Sequence, residues 1–163
     1  MPRELVAIAP RTPVLREYEE PPLAPDRIRV RSQFSAPKHG TELALYRGTA
    51  AFIHAIFDPH TKTFVPSAQA AAIFPIPLGN MTVGVVSEVG EKVTRFKVGE
   101  RVYGHLPIRE THTVSEAQVH AMPEEMMPEQ IVYLDPAEFA LAAVRDGNVR
   151  LGDKVAVFGL GAI

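Results

Sequence analysis

The sequence predicts a mainly β amino-terminal domain followed by the opening of an α/β unit, and three observations point there. Residues 1 to about 120 hold short apolar runs separated by turn residues, with 15 prolines and 11 glycines among 163 residues. From about residue 128 the pattern becomes helical, with a dense, alanine-rich stretch from Ile131 to Arg145 that reads as a buried helix. Asp153 to Gly161 (DKVAVFGLG) then reads as a buried strand running into glycines.

In order, Glu4–Ala9 and Pro13–Glu19 read as two short strands parted by the turn Pro10-Arg11-Thr12. Arg27 to Phe34 alternates basic and apolar residues as far as Arg31, which suits a strand whose apolar side is buried and whose basic side is solvated. Lys38 to Gly48 suits a turn or two of helix. Thr49 to Pro77 is a long excursion carrying Phe52, Phe57 and Phe64, and loops of that length are usually functional. Strands are expected again at Thr82–Val89, Phe96–Tyr103 and His112–Val119. The helix after Ile131 is expected to stop at Asp146-Gly147, a suitable C-terminal cap.

Composition removes several function classes. With 46% hydrophobic and 22% charged residues the chain is globular, and a net charge of −2 gives no electrostatic attraction to nucleic acid or an anionic membrane. No apolar run is long enough to cross a membrane, and the start Met-Pro-Arg-Glu lacks a signal-peptide core, so the expected location is cytoplasmic. Zero cysteines exclude disulfides, thiolate nucleophiles and cysteine-based zinc sites. No G-x-S-x-G elbow supports a serine hydrolase.

Gly159-Leu160-Gly161 after Val155–Phe158 matches the start of G-x-G-x-x-G, in which glycines allow the tight turn and the approach of a pyrophosphate. Alone, it equally fits a glycine turn after any buried strand. Its context adds weight. Gly84 to Val102 (GVVSEVGEKVTRFKVGERV) resembles a signature of the medium-chain dehydrogenase/reductase superfamily, and Pro77-Leu78-Gly79 and Arg150 to Gly161 also look like segments of that superfamily. The likeness runs in family order along nearly the whole chain, Thr49 to Phe74 excepted. It implies a GroES-like alcohol dehydrogenase domain over 1–125, and over 126–163 a linker helix with the first βα element of a truncated NAD(P)-binding Rossmann domain. Gly159, Leu160 and Gly161 would then bind NAD or NADP.

The resemblance also carries site residues. Zinc-dependent members of the superfamily hold a catalytic metal with a Cys in Cys-Gly-Thr-Asp, a His in Gly-His-Glu and a later Cys or acidic residue. Here the first motif is His39-Gly40-Thr41-Glu42 and the second is Gly79-Asn80-Met81, while the third position falls on Asp135. His39 and Asp135 are credible zinc ligands; Asn80 is a poor one and a Met81 thioether does not suit zinc. A metal-free or weakly metal-binding site is expected, and the family's structural zinc, which needs four cysteines, is absent. Each residue also has a plain alternative: His39 a surface or cap histidine, Asp135 a helix N-cap, Thr41 a local cap. Thr41 matches the hydroxyl that relays a proton from the alcohol, but Ala44 occupies the place of the relay's histidine. His54, His60, His105, His112 and His120 show no metal spacing and read as ordinary, His105 the least so.

The function so implied is hydride transfer between NAD(P) and an alcohol, carbonyl or activated alkene, with Thr41 and His39 assisting the substrate oxygen. The partners expected are a small-molecule substrate and, at full length, further copies in a homo-oligomer. The 163-residue chain alone is expected to be inactive. The competing reading is a stand-alone GroES-like binding or structural module.

Overall fold

The computed structural model describes residues 1–67 and 73–158, the Thr41 side chain excepted. Two compact units separate by internal contacts, Met1–Met122 and Pro123–Ile163.

The first unit is built of strands. β1 (Arg3–Ala9) and β2 (Thr12–Glu17) form an antiparallel hairpin, with Arg11 at φ 57° in its turn. β3 (Arg27–Ala36) leads through Pro37-Lys38 into helix α1 (His39–Arg47). That helix closes at Gly48, whose φ of 70° is the left-handed geometry that ends helices and favours glycine. After one 3-10 turn, β4 (Ala55–Asp58) and β5 (Thr63–Pro66) pair as a separate hairpin, which resolves the long excursion. β6 (Ile76–Pro77) joins β1 to give the order β2-β1-β6.

β7 (Met81–Val89), β8 (Arg101–Gly104), β9 (Thr111–Ser115) and the short β10 (His120–Ala121) join β3 in a five-stranded sheet of order β10-β8-β7-β3-β9. Its apolar side holds the core, Ile28, Val30, Val86, Val102, Val114 and Val119 with Phe96 and Leu106. Each fully buried aliphatic side chain there contributes about 1.5–3 kcal/mol of transfer free energy. The two sheets meet through backbone bonds from Leu5 N–H to Ile108 O (2.9 Å), Ile108 N–H to Leu78 O (2.7 Å) and Leu78 N–H to Leu5 O (3.0 Å).

Three expectations for this unit need correction. The basic side of β3 is not uniformly solvated, because Arg29 is buried. Its guanidinium bonds Glu20 at 2.5 Å and Glu88 at 3.1 Å, and the carbonyl of Pro21 accepts from it at 3.0 Å, so it anchors the proline-rich connection to the sheet. The strand expected to run to Val119 ends at Ser115. There a 3-10 turn, Glu116–Gln118, begins with reciprocal hydrogen bonds between Ser115 and Gln118. His112 is not ordinary. It lies on β9 opposite Val30, is 3% exposed, and its Nε2 has no hydrogen-bond partner.

The second unit contains α2 (Pro128–Ile131) and α3 (Leu134–Asp146). The expected buried helix is present from Leu134, but none of its residues is buried: Phe139, Leu141 and Val144 are exposed. Its left-handed terminal residue is Asn148 (φ 49°) rather than Gly147, which keeps helical geometry. Residues 153–158, expected as a strand, have no ladder partner, and a lone strand leaves its backbone groups unpaired. The expected turn Gly159-Leu160-Gly161 lies outside the described residues. Among the described residues no helix is long and apolar enough to cross a membrane.

Candidate functional site

The first two motifs lie where the end of β3 meets the residues before β7. Lys38 is the N-cap of α1 in extended geometry, with no side-chain cap bond, so His39 is not the cap residue. His39 is the first helical residue and is exposed; Thr41 follows two residues later on the same first turn. Asn80 N–H donates to Ala36 O at 3.3 Å, which draws the second motif against the segment that carries His39. Asn80 is half-buried, whereas Met81 is 1% exposed and points into the core. Gly79 is obligatory there: at φ 92°, an added Cβ would sit 2.4 Å from an Ile108 side-chain carbon and 2.8 Å from the Ile108 nitrogen.

The structure adds a residue that the motifs alone do not single out. Glu42 is half-buried, and Oε2 accepts the Lys38 backbone N–H at 3.0 Å. The Gly79 backbone amide is among the groups that lower the pKa of this carboxylate, which places it near the second motif. Burial raises the Glu42 pKa, opposed by the backbone bonds from Lys38 and Gly79 and by the Lys38 charge. Burial likewise lowers the Lys38 pKa, opposed by Glu42. Desolvation thus draws both groups toward neutrality, and the charge of each partly opposes the shift of the other. A second overlooked residue is Thr82. Its buried hydroxyl lies 3.1 Å from the carbonyls of Leu106 and Pro107 and 2.8 Å from Ser35 Oγ, fixing the 104–108 segment beside the end of β3.

Three ligands and tetrahedral geometry are the usual minimum, and Asn80 and Met81 replace two of the family's polar positions. Among the described residues, no three His, Cys, Asp or Glu side chains group closely enough to hold a metal. Asp135 belongs to the second unit, as the second residue of α3. The N-cap there is Tyr133, so Asp135 is not the cap; its carboxylate instead favours the positive helix start.

The remaining aromatic and histidine candidates are dispersed. Phe57 and Phe64 stack edge to face at 5.5 Å on the β4–β5 hairpin, and with Phe52 they stay about half exposed. His54 Nε2 lies 3.0 Å from Gly48 O, and the His120 ring packs 5.4 Å from Tyr103; His60 and His105 are exposed. An open groove of about 560 Å³ between the β1–β2 hairpin, β3 and residues 108–111 contains none of the candidate site residues.

Residues 46–131 match the alcohol dehydrogenase GroES-like domain, more than half of the chain. The chain belongs to that family. It is a medium-chain dehydrogenase/reductase fold, mainly β, as the motif order implied. Among curated relatives, it is 39% identical to a D-guloside 3-dehydrogenase of Escherichia coli over 99% of this chain and 48% of that protein. It is 30% identical to an (R,R)-butanediol dehydrogenase of Bacillus subtilis over 91% of this chain and 48% of that one. The solved 2R,3R-butanediol dehydrogenase of Bacillus subtilis superposes with a TM-score of 0.71 at 26% identity, covering 98% of this chain and 51% of that structure. The chain spans about half the length of the curated relatives it matches.

Proposed function

We propose that the protein carrying this chain is an NAD(P)-dependent dehydrogenase that oxidises a secondary hydroxyl of a polyhydroxylated, sugar-like substrate. One observation carries the reading: 39% identity to a guloside 3-dehydrogenase across 99% of the chain. The butanediol dehydrogenases agree with it, since they too act on a secondary alcohol by name. In this reading residues 1–125 supply the substrate side. Residues 126–163 open the nucleotide domain, with Gly159, Leu160 and Gly161 at the pyrophosphate turn.

The nicotinamide, when bound, supplies the hydride acceptor. This chain's own part is to orient the alcohol and handle its oxygen. The Thr41 hydroxyl and the His39 imidazole are the groups offered to hydrogen-bond the substrate oxygen, both belonging to the first turn of α1. The Lys38–Glu42 pair keeps that turn in place against Gly79. The reading assigns no ligand set for zinc, and it takes the protein to be a cytoplasmic homo-oligomer.

The test is direct. The protein as its gene encodes it, incubated with NAD or NADP and methyl D-guloside, is expected to yield the 3-keto sugar and reduced nicotinamide. Failure to bind or reduce either nucleotide would refute the reading and favour a binding module. Elemental analysis of the same preparation is expected to find well under one zinc per chain; one full equivalent would overturn the metal-free site.

A further inference from the structure

We infer that the β4–β5 hairpin is an arm through which two copies of the protein associate, each copy enclosing the arm of the other. The hairpin stands apart in the fold. It is a separate two-stranded sheet that pairs with no other described strand, and it packs on the 3-10 turn just before it. Hairpins of two strands are marginal in water unless a third strand or another layer supports them. The register sets Phe57 opposite Phe64 and Ile56 opposite Val65. Successive residues of a strand point to opposite faces, so the phenylalanines share one face and the two aliphatic residues share the other. All four are about half exposed, as is Phe52 on the preceding turn. Both faces are therefore apolar, and both meet solvent.

Area, shape and charge select the occupant. Half of each of these five side chains amounts to roughly 400–500 Å² of apolar surface. A standard interface takes about 800 Å² from each partner, a little over half of it apolar, so the arm alone supplies the apolar share of one side. A sugar-sized ligand could lie on the Phe57–Phe64 face, but it would leave Ile56 and Val65 in water; enclosing both faces takes a protein. The tip is polar and satisfied within itself. There Asp58 accepts the His60 N–H at 2.8 Å and the Thr61 hydroxyl at 2.9 Å, so an apolar centre is bordered by a polar rim, as in protein interfaces. Residues 50–67 carry one acid, Asp58, and one base, Lys62. A two-fold contact sets a patch against a copy of itself, so it suits a patch with no net charge. The inference rests on the proposed homo-oligomer and not on the proposed chemistry.

The experiment is photo-crosslinking of the purified full-length protein with p-benzoylphenylalanine in place of Phe57 or Phe64. Irradiation is expected to give a product of twice the chain mass. Mixing unlabelled with isotope-labelled protein beforehand identifies the peptides that come from a second chain. A cross-link confined to one chain, with the rest of the protein lying on the hairpin, overturns the inference. So does the absence of any cross-link, and so does suppression of the cross-link by methyl D-guloside, which would make the phenylalanine face a sugar site. Ile56→Lys tests the same contact by its strength. A lysine enclosed there without a counter-charge should raise the dissociation constant about a hundredfold or more, read by sedimentation velocity over a dilution series. Val98→Lys, at an exposed apolar position in another loop, serves as control and should leave association unaltered. An unchanged dissociation constant in Ile56→Lys overturns the inference, as does equal weakening in Val98→Lys. If the protein turns over no alcohol, the dehydrogenase reading fails while the cross-linking result still decides the contact.

Discussion

His112 should make this domain acid-sensitive by an amount that can be worked out beforehand. Burial, with a smaller contribution from the nearby Arg109 charge, lowers its pKa from 6.5 to about 4. The side chain is 3% exposed and its Nε2 has no partner, so the folded state holds the neutral ring. In the unfolded chain the ring protonates at its ordinary pKa. Between those two values the unfolded state binds the extra proton, so stability is fully present above pH 6.5 and falls as the pH drops toward 4. At about 1.4 kcal/mol per pH unit the whole gap is worth about 3 kcal/mol, of which about 2 kcal/mol is lost between pH 7 and pH 5. The perturbation is His112→Leu, which removes the titrating group and fills the space opposite Val30. Urea denaturation of wild type and variant across that pH range gives the difference, in which the carboxylate titrations common to both cancel. The variant should lose about 2 kcal/mol less than wild type on acidification to pH 5. Parallel curves for the two proteins, or an NMR titration of His112 near 6.5, would refute the reasoning.

Two further outcomes follow from the packing. Glu4 is 11% exposed at its side chain and bonds Arg16 at 2.9 Å and Arg109 at 3.0 Å. Glu4→Ala should therefore lower the unfolding free energy by about 2 kcal/mol, because Arg109 keeps the Tyr18 ring but loses its counter-charge; a urea midpoint equal to wild type would contradict this. Gly79→Ala adds a methyl against Ile108 at a backbone angle that side chains avoid, and should cost about 1–3 kcal/mol while raising hydrogen exchange at Asn80, whose N–H donates to Ala36 O. Normal stability with normal exchange would show that the approach of Ile108 is not as close as described.

Much of the first unit was legible because its patterns are local. The alternation of Arg27 to Arg31, the valines of β7 and the short helical stretch that ends at Gly48 each declare themselves within a few residues. What was not legible depends on distant partners. Arg29 looked like part of a solvated face because Glu20 and Glu88, which neutralise it, lie on other segments. Glu42 looked like the unremarkable end of a motif until Gly79 was brought beside it. The β4–β5 hairpin was hidden for another reason. Its turn places Lys62 rather than a glycine or asparagine at positive φ, and its apolar residues are about half exposed, so neither turn chemistry nor one-sided alternation marks it. For α3 the composition indicated a helix correctly, and apolar residues such as Phe139 and Leu141 are exposed in a chain that spans about half the length of its relatives.

The central claim is hydride transfer from a sugar-like secondary alcohol, and isotopic labelling tests it most directly. Methyl D-guloside deuterated at carbon 3 is incubated with the full-length protein and oxidised nicotinamide cofactor, and the products are read by mass spectrometry and NMR. The account predicts deuterium on carbon 4 of the reduced nicotinamide ring, in step with the 3-keto product. Reduced cofactor without label, or no reduced cofactor at all, would contradict it.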